Sequence, residues 1–302
     1  IGARGPVPVV SHHGHGLPGW AGVADLVLAV SATGMEPQTC SAVEEARRRG
    51  CRLAVVSPAN TPMSDLAARA RAPFVVVPEV RPAWAALWSL SVPLLAACRG
   101  IGLVREGDQA VEATARRLEE MATRCRPASE SFVNPAKLLA LELAGTIPMF
   151  WGTSHPMAVV AERATSQLAA TARYPALAGE LPRSAYDQAA LFVGAFGAGA
   201  GSADSDDFFR DRVEDEEVLR LRLVLLRDSD AEQPEVGRQA DAAAELAAES
   251  GMSVTELRPE GVGVLERLAS LICLVDYASI YLSLALGVDA SRTPMLHQLG
   301  RR

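Results

Sequence analysis

Short apolar runs alternate with helical patterns along the whole chain, and this alternation constrains the fold more than any other feature of the sequence. In the first half, Leu26–Val30, Arg52–Val56 and Pro73–Val77 have the length and composition of buried strands. A helical pattern over Pro37–Arg49 lies between the first two, with proline in its first turn and Gly50 after its end. Strands that alternate with helices predict a parallel sheet covered on both faces.

The same alternation predicts the remaining elements of both halves. In the first half we predict a further strand at Pro6–Val10 and helices at Met63–Ala70, Ala83–Cys98 and Asp108–Cys125. In the second half we predict strands at Ile147–Trp151, Leu219–Leu226 and Ser253–Leu257, and helices at Pro135–Ala144, Pro156–Ala172, Glu235–Ser250 and Val262–Leu286. The two longest apolar runs, Ala83–Cys98 and Leu268–Leu286, are interrupted by polar side chains, which favours buried helices over membrane spans.

The chain length of 302 residues favours two domains. Arg126–Asn134 contains Pro127, Ser129 and Ser131 and has the composition of a linker, so we predict domains at residues 1–126 and 134–302. Both halves are expected to be doubly wound parallel sheets, although no close sequence repeat supports a duplication. The chain begins with Ile1 and not with Met, from which we expect a fragment.

Charge and cysteine usage exclude several classes of partner. The net charge is −7 and no long Lys/Arg cluster occurs, so a nucleic-acid partner is not expected. The five cysteines are scattered and form no C-x-x-C pair, which argues against a disulfide framework or a zinc site and favours a cytoplasmic location.

Two segments carry side chains of the types that ligate metals. One is His12-His13-Gly14-His15, for which a surface loop is the alternative. The other is the acidic stretch Gly194–Glu217, for which a solvated loop is the alternative because no fixed ligand spacing occurs. We therefore expect no metal site in either segment.

A hydroxyl-rich turn follows the strand Leu26–Val30 and reads Ser31-Ala32-Thr33-Gly34-Met35-Glu36-Pro37 before a helix begins. Free N–H groups and the positive end of the helix dipole favour an anion at such a place, and hydroxyls add hydrogen bonds. Two interpretations stay open: Ser31 and Thr33 bind a phosphate, or they only cap the helix.

The loop Ser31–Thr39 is similar to the phosphate-binding loop of SIS (sugar isomerase) domains, which reads Ser-x-Ser-Gly-x-Thr-x-Glu-Thr. Similar text also occurs at Leu17–Trp20, Val43–Ala46, Asn134–Lys137, Ile147–Ser154 and Leu271–Leu282. Together these residues resemble the bifunctional phosphoglucose/phosphomannose isomerase family, especially its actinobacterial branch, over nearly the whole chain. The resemblance implies an α/β fold of two SIS-type doubly wound domains, the first N-terminally truncated, with a phosphorylated hexose as ligand, a homodimer and no cofactor.

The resemblance also assigns binding positions. Ser31, Thr33 and Thr39 match hydroxyls of the phosphate loop, and Thr293 matches a hydroxyl linked to accepting mannose as well as glucose phosphate. Glu36 stands where the family has Thr. A carboxylate beside a phosphate dianion is unfavourable unless it turns away.

Three matched catalytic positions are substituted. Ala170 stands where the family has its catalytic Glu, Tyr186 where it has the ring-opening His, and Gly300 where it has a Lys. Aldose–ketose isomerisation moves a proton between C1 and C2 and requires a base. The resemblance thus favours a sugar-phosphate isomerase of weak activity, while these residues favour a non-catalytic phosphosugar-binding or regulatory protein.

Other titratable side chains could replace the missing groups. His155 follows the second-half strand Ile147–Trp151, at the ligand-facing edge of an open α/β sheet, although a polar residue that begins a helix is the alternative. Glu142, Glu162 or Glu180 could act as the base, and each also suits a solvated charge.

Overall fold

The computed structural model describes residues 6–80, 82–104, 107–197 and 219–292. Packing divides the chain into two compact units, residues 1–106 and 107–302. The first unit ends earlier than the predicted domain limit of 126, because the helix Asp108–Cys125 packs within the second unit. Arg117 of that helix forms an ion pair with Glu266 at 3.1 Å, and Tyr281 O–H donates to Cys125 O at 2.5 Å.

The first unit contains a parallel sheet of three strands in the order β1-β2-β3. The strands are β1 (Leu26–Val30), β2 (Arg52–Ser57) and β3 (Phe74–Val76), and the helices are α1 (Pro37–Arg49), α2 (Pro62–Ala70) and α3 (Leu87–Gly100), the last preceded by a 3₁₀ turn at Ala83–Ala86. Val43 and Ala46 of α1 and Met63 and Ala67 of α2 are fully buried against Val55 of β2. The predicted alternation of strands and helices is confirmed in this unit.

One predicted strand of the first unit is wrong. Residues Pro6–Val10 form no strand, and Val7, Val9 and Val10 are exposed. Apolar β-branched residues predict a strand only where a neighbouring strand accepts their hydrogen bonds and a core covers one face. Neither condition holds for this segment.

The second unit contains a parallel sheet of four strands in the order β5-β4-β6-β7. The strands are β4 (Thr146–Gly152), β5 (Leu177–Glu180), β6 (Arg220–Leu226) and β7 (Ser253–Leu257), and the helices are α4 (Asp108–Cys125), α5 (Pro135–Leu143), α6 (His155–Thr171), α7 (Arg183–Gln188), α8 (Pro234–Glu249) and α9 (Val264–Ala285), with a 3₁₀ turn at Ala189–Val193. The chain runs from β4 out to β5 and then crosses back to β6 on the other side of β4. The carboxyl ends of β4 and β6 are therefore the topological switch point of the sheet, where ligands of such sheets bind.

The core of the second unit is built around Trp151 at the end of β4. Trp151 is fully buried, and its ring stacks on Phe192 with centroids 5.6 Å apart. Its Nε1–H donates to Gln188 Oε1 at 2.7 Å, and the Gln188 amide donates to Ala178 O in β5 at 3.0 Å. These contacts fasten the short segment after β5 to the sheet and satisfy the buried indole N–H.

Helix α9 is long and apolar enough to cross a membrane by length and composition, but 61% of its most apolar window is buried inside the protein. Helices α4, α5 and α6 pack against it. A helix covered by protein on several sides has the environment of a core helix, as predicted for the apolar run that ends at Leu286.

Candidate functional site

The segment Ser31–Thr39, which joins β1 to the first turn of α1, is called the hydroxyl loop here. Ser31 N–H donates to Val56 O at 3.0 Å, which fixes the start of the loop beside β2. Gly34 has a φ of +71°, and a Cβ at this position would lie 2.3 Å from Thr61 Oγ1 and 2.7 Å from Ser57 Oγ. Only glycine fits both the left-handed backbone and the close approach, so the loop is held tightly against the segment before α2.

The side chains of the hydroxyl loop converge on the carboxylate of Glu36. Thr33 Oγ1 donates to Glu36 Oε1 at 2.9 Å, and the Ser31 hydroxyl donates to Glu36 Oε2. The two hydroxyl oxygens also accept from the backbone: Gly34 N–H donates to Ser31 Oγ at 2.6 Å, and Met35 N–H to Thr33 Oγ1 at 3.2 Å. Glu36 therefore does not turn away from the loop, because the two hydroxyl donors satisfy its carboxylate there.

Glu36 is the residue that caps the amino end of α1, and no side chain caps the helix by hydrogen bonding. Burial raises the pKa of Glu36, but the hydrogen bonds from Ser31 and Thr33 and from the backbone more than offset this, so the pKa is lowered overall. Thr39 lies half-buried in the first turn of α1 and takes no part in the hydrogen bonds to Glu36. Glu36 is thus an ionised carboxylate inside a loop whose sequence predicts an anion-binding site.

We expect Glu36→Gln to destabilise the protein by about 1 kcal/mol at pH 7, because hydrogen bonds to a charged acceptor are stronger than those to an amide. The folded pKa of Glu36 lies below its ordinary value of 4.5, so its contribution is fully present above pH 4.5 and is lost as the pH falls through the folded pKa. Urea unfolding of both proteins from pH 7 to pH 3 measures this. A gap that stays constant or widens in acid would contradict the assignment.

At the switch point of the second unit, polar side chains pair with each other. Asp228 is 1% exposed, and its N–H donates to Thr153 Oγ1 at 3.0 Å. Ser154 Oγ donates to Asp228 Oδ2 at 3.3 Å. Asp228 Oδ1 lies 3.0 Å from Arg267 Nε, but the Arg267 N–H is not directed at it, so this is an ion pair without a hydrogen bond. The segments that follow β4 and β6 are therefore joined to each other and to α9.

A second buried ion pair involves Arg227, the residue before Asp228. Arg227 Nη2 and Nε donate to the two carboxylate oxygens of Glu232 at 2.8 and 3.0 Å, and Nη1 donates to Asp241 Oδ1 at 2.6 Å. The side chains of Arg227 and Glu232 are 8% and 9% exposed. Hydrogen bonding to Glu232 raises the pKa of Arg227, so this bidentate pair stays charged in the folded protein.

His155 and Glu180 meet at the carboxyl ends of β4 and β5. His155 Nδ1 lies 3.5 Å from Glu180 Oε2, and both side chains are exposed. The sequence singles out each residue, but only the fold brings an imidazole and a carboxylate together at this edge. The other candidate bases lie elsewhere: Glu142 accepts a hydrogen bond from Thr255 at 2.6 Å, and Glu162 is exposed on α6.

Over the part of the chain that the structure describes, no group of three or more His, Cys, Asp or Glu side chains is arranged to hold a metal ion. In the histidine tract, Ser11 Oγ and His13 Nε2 are 3.0 Å apart, and this tract is exposed. Residues 198–217 of the acidic stretch lie outside the described residues, as do Thr293 and Gly300.

The family described as the bacterial phospho-glucose isomerase C-terminal SIS domain matches residues 132–302. The chain belongs to this SIS-domain family. A bifunctional phosphoglucose/phosphomannose isomerase from Caldicellulosiruptor bescii is 25% identical over 278 residues, which are 92% of this chain and 76% of the relative.

Solved SIS-type structures share the fold of this chain. A glucose-6-phosphate isomerase like protein from Thermus thermophilus has a TM-score of 0.60 at 19% identity, covering 97% of this chain and 91% of that one. Tagatose-6-phosphate ketose/aldose isomerase from Escherichia coli has a TM-score of 0.62 at 11% identity, covering 90% of this chain and 72% of that one. The predicted α/β class with parallel sheets is confirmed.

Ala170 and Tyr186, the two predicted catalytic positions that lie within the described residues, do not come together. Ala170 lies in the last turn of α6, and Tyr174 just beyond it accepts a hydrogen bond from Thr146 N–H at the amino end of β4. Tyr186 lies in α7, which follows the carboxyl end of β5, and is 79% exposed. The two positions therefore lie at opposite ends of the parallel sheet.

Proposed function

We propose that this SIS-domain protein binds a phosphorylated hexose weakly and isomerises it slowly or not at all. The observation that carries the proposal is the methyl side chain of Ala170, where the family pattern has its catalytic Glu. A methyl group cannot accept the proton that must move between C1 and C2. The core and the strand order of the second unit are intact, so the substitutions affect the chemistry and not the scaffold.

The hydroxyl loop supports the binding half of the proposal. The hydroxyls of Ser31 and Thr33 point toward one anionic group, the carboxylate of Glu36, and the backbone around Gly34 supports them. A loop that holds a carboxylate in this way has the donors that a phosphate oxygen requires. On the basis of the family pattern alone, we assign Thr39 to phosphate binding by this loop and Thr293 to sugar binding.

The contact between His155 and Glu180 favours slow isomerisation, and without it the protein would be a non-catalytic phosphosugar-binding or regulatory protein. An exposed imidazole beside a carboxylate at the carboxyl edge of a parallel sheet could transfer a proton to or from a bound sugar. In this alternative the pair replaces the family groups that are missing at Ala170 and Tyr186.

Calorimetry with glucose 6-phosphate and fructose 6-phosphate tests the binding half. We expect weak binding that protects the amides of the hydroxyl loop from hydrogen exchange and disappears in the double variant Ser31→Ala with Thr33→Ala. The matched control removes the hydroxyls of Thr165 and Ser166 on α6, and binding should survive it. Binding that persists without Ser31 and Thr33 hydroxyls would show that the loop is not the site.

We also propose a homodimer, as the resemblance implies, in the cytoplasm, as the scattered cysteines indicate. Apolar side chains around the start of α5 support an interface, since Phe132, Val133, Leu138 and Leu141 are all exposed. Light scattering of the purified protein tests the dimer, and a monomer at all concentrations would contradict it.

A further inference from the structure

We propose that Glu36 competes with phosphate for the hydroxyl loop. Its carboxylate occupies the position that a bound anion would take, and it blocks the binding of phosphate monoesters until the Glu36 side chain moves away or loses its charge. The proposal rests on the proposed function of this loop and names the residue that sets its affinity.

Both hydroxyl protons of the loop are already donated to Glu36. A hydroxyl has one proton to donate, and both Ser31 and Thr33 give theirs to Glu36. The remaining lone pairs of these two oxygens accept from the N–H groups of Gly34 and Met35. A phosphate that entered while Glu36 stayed in place would meet no free hydroxyl proton on either side chain.

Neighbouring segments hold the backbone of the hydroxyl loop in place. Gly34 is wedged against Ser57 and Thr61, and its carbonyl accepts from Met63 N–H at 3.2 Å. The start of the loop is also tied to β2 through Ser31 N–H. These contacts oppose a widening of the backbone to hold two anions side by side, whereas the Glu36 side chain can leave by a change of rotamer.

The negative charge of Glu36 also opposes the binding of phosphate. No Arg, Lys or His forms an ion pair with Glu36 among the residues that the structure describes. The titratable neighbour on α1 is Cys40, and burial, with the charge of Glu36, raises the pKa of its thiol, so it stays neutral. A phosphate dianion in the loop would lie at hydrogen-bond range from an unneutralised carboxylate, which is strongly repulsive in a half-buried site.

Two substitutions separate the effect of charge from the effect of donor occupancy. Glu36→Thr removes the carboxylate and frees both hydroxyls, whereas Glu36→Gln removes only the charge and leaves an amide oxygen that still accepts from them. The matched control is Glu44→Gln, an exposed carboxylate on the same helix that pairs with Arg47 at 2.6 Å. It changes the net charge equally without touching the loop.

The experiment is calorimetry of each variant with inorganic phosphate and glucose 6-phosphate, with urea unfolding to confirm that each is folded. Repulsion of this kind raises the dissociation constant for phosphate by a factor of at least about ten, so Glu36→Thr should bind phosphate at least about tenfold more tightly than the parent. Glu36→Gln should lie between them, and Glu44→Gln should match the parent. Adding Ser31→Ala to Glu36→Thr should remove the gain.

Equal binding by the parent and by Glu36→Thr, in both cases abolished by the loss of the Ser31 and Thr33 hydroxyls, would overturn the role of Glu36 while leaving the proposed function intact. Absence of phosphate binding in the parent, Glu36→Thr and Glu36→Gln alike would overturn both, because freeing the hydroxyls would then create no site.

Discussion

The protein is expected to interconvert glucose 6-phosphate and fructose 6-phosphate about 100- to 10,000-fold more slowly than an intact family member, since this is the usual effect of losing a general base. Ala170 has no group that accepts a proton. The replacement of the ring-opening His by Tyr186 should reduce the rate further, but by less than it would alone. The effects of residues that act in one proton-transfer sequence on the rate are not additive. We expect the same deficit with mannose 6-phosphate.

A coupled assay on the purified protein measures this rate, with the bifunctional relative from Caldicellulosiruptor bescii assayed in parallel. Two variants locate any residual activity. Glu180→Gln should abolish it if the pair with His155 supplies the proton transfer, and Ala170→Glu combined with Tyr186→His should raise it if the family positions are still competent. Turnover comparable to that of the relative would show that the matching of Ala170 and Tyr186 to the catalytic positions is wrong.

The second large effect concerns stability. Replacing Arg227 with Met should lower the free energy of unfolding by about 3–5 kcal/mol, because it leaves the buried carboxylate of Glu232 without its bidentate partner and close to Asp241. The control is Arg258→Met. Arg258 also pairs with a carboxylate, Glu256 at 3.0 Å, but it is 57% exposed, so its loss should cost less than about 1 kcal/mol.

Urea unfolding at neutral and acid pH checks both the size of this effect and its origin. Burial raises the pKa of Glu232, but its hydrogen bonds with Arg227 lower the pKa by a larger amount, so the folded pKa lies below the ordinary 4.5. The pair therefore stabilises the protein above pH 4.5, and this contribution is lost as the pH falls through the folded pKa. The gap between parent and Arg227→Met should narrow in acid, and a loss at pH 7 no larger than that of Arg258→Met would contradict the prediction.

The strands that sequence patterns predict well are those formed by continuous apolar runs of β-branched and aliphatic residues. β1 has the bounds predicted for it, and the predicted strand at Arg52–Val56 is one residue short of β2. The segment Pro6–Val10 has a strand composition but no partner strand, and a pattern within one segment cannot reveal its partner. The strand β5 was missed for the opposite reason: Leu177-Ala178-Gly179-Glu180 is short and not very apolar, and it is a strand because β4 offers it hydrogen bonds.

For the candidate site, too, the sequence predicts some features and not others. The hydroxyls of Ser31 and Thr33 can be placed in the loop from the strand–turn–helix pattern alone. The direction of the Glu36 side chain cannot be predicted in this way. One rotamer directs the carboxylate to solvent and another directs it to the hydroxyl donors, and those donors are in place only in the folded loop. The contacts of Asp228 with Arg267 and of His155 with Glu180 join distant segments, and strand order determines them.

The packing of α4 on α9 has a consequence for how the second half of the chain can be produced in isolation. The family match begins at residue 132, beyond the end of α4 at Cys125, so a recombinant fragment cut at that point omits the helix whose Arg117 pairs with Glu266. The side of α9 that α4 covers would then face solvent and favour aggregation. A fragment begun at Gly107 keeps this cover and follows the boundary of the compact unit.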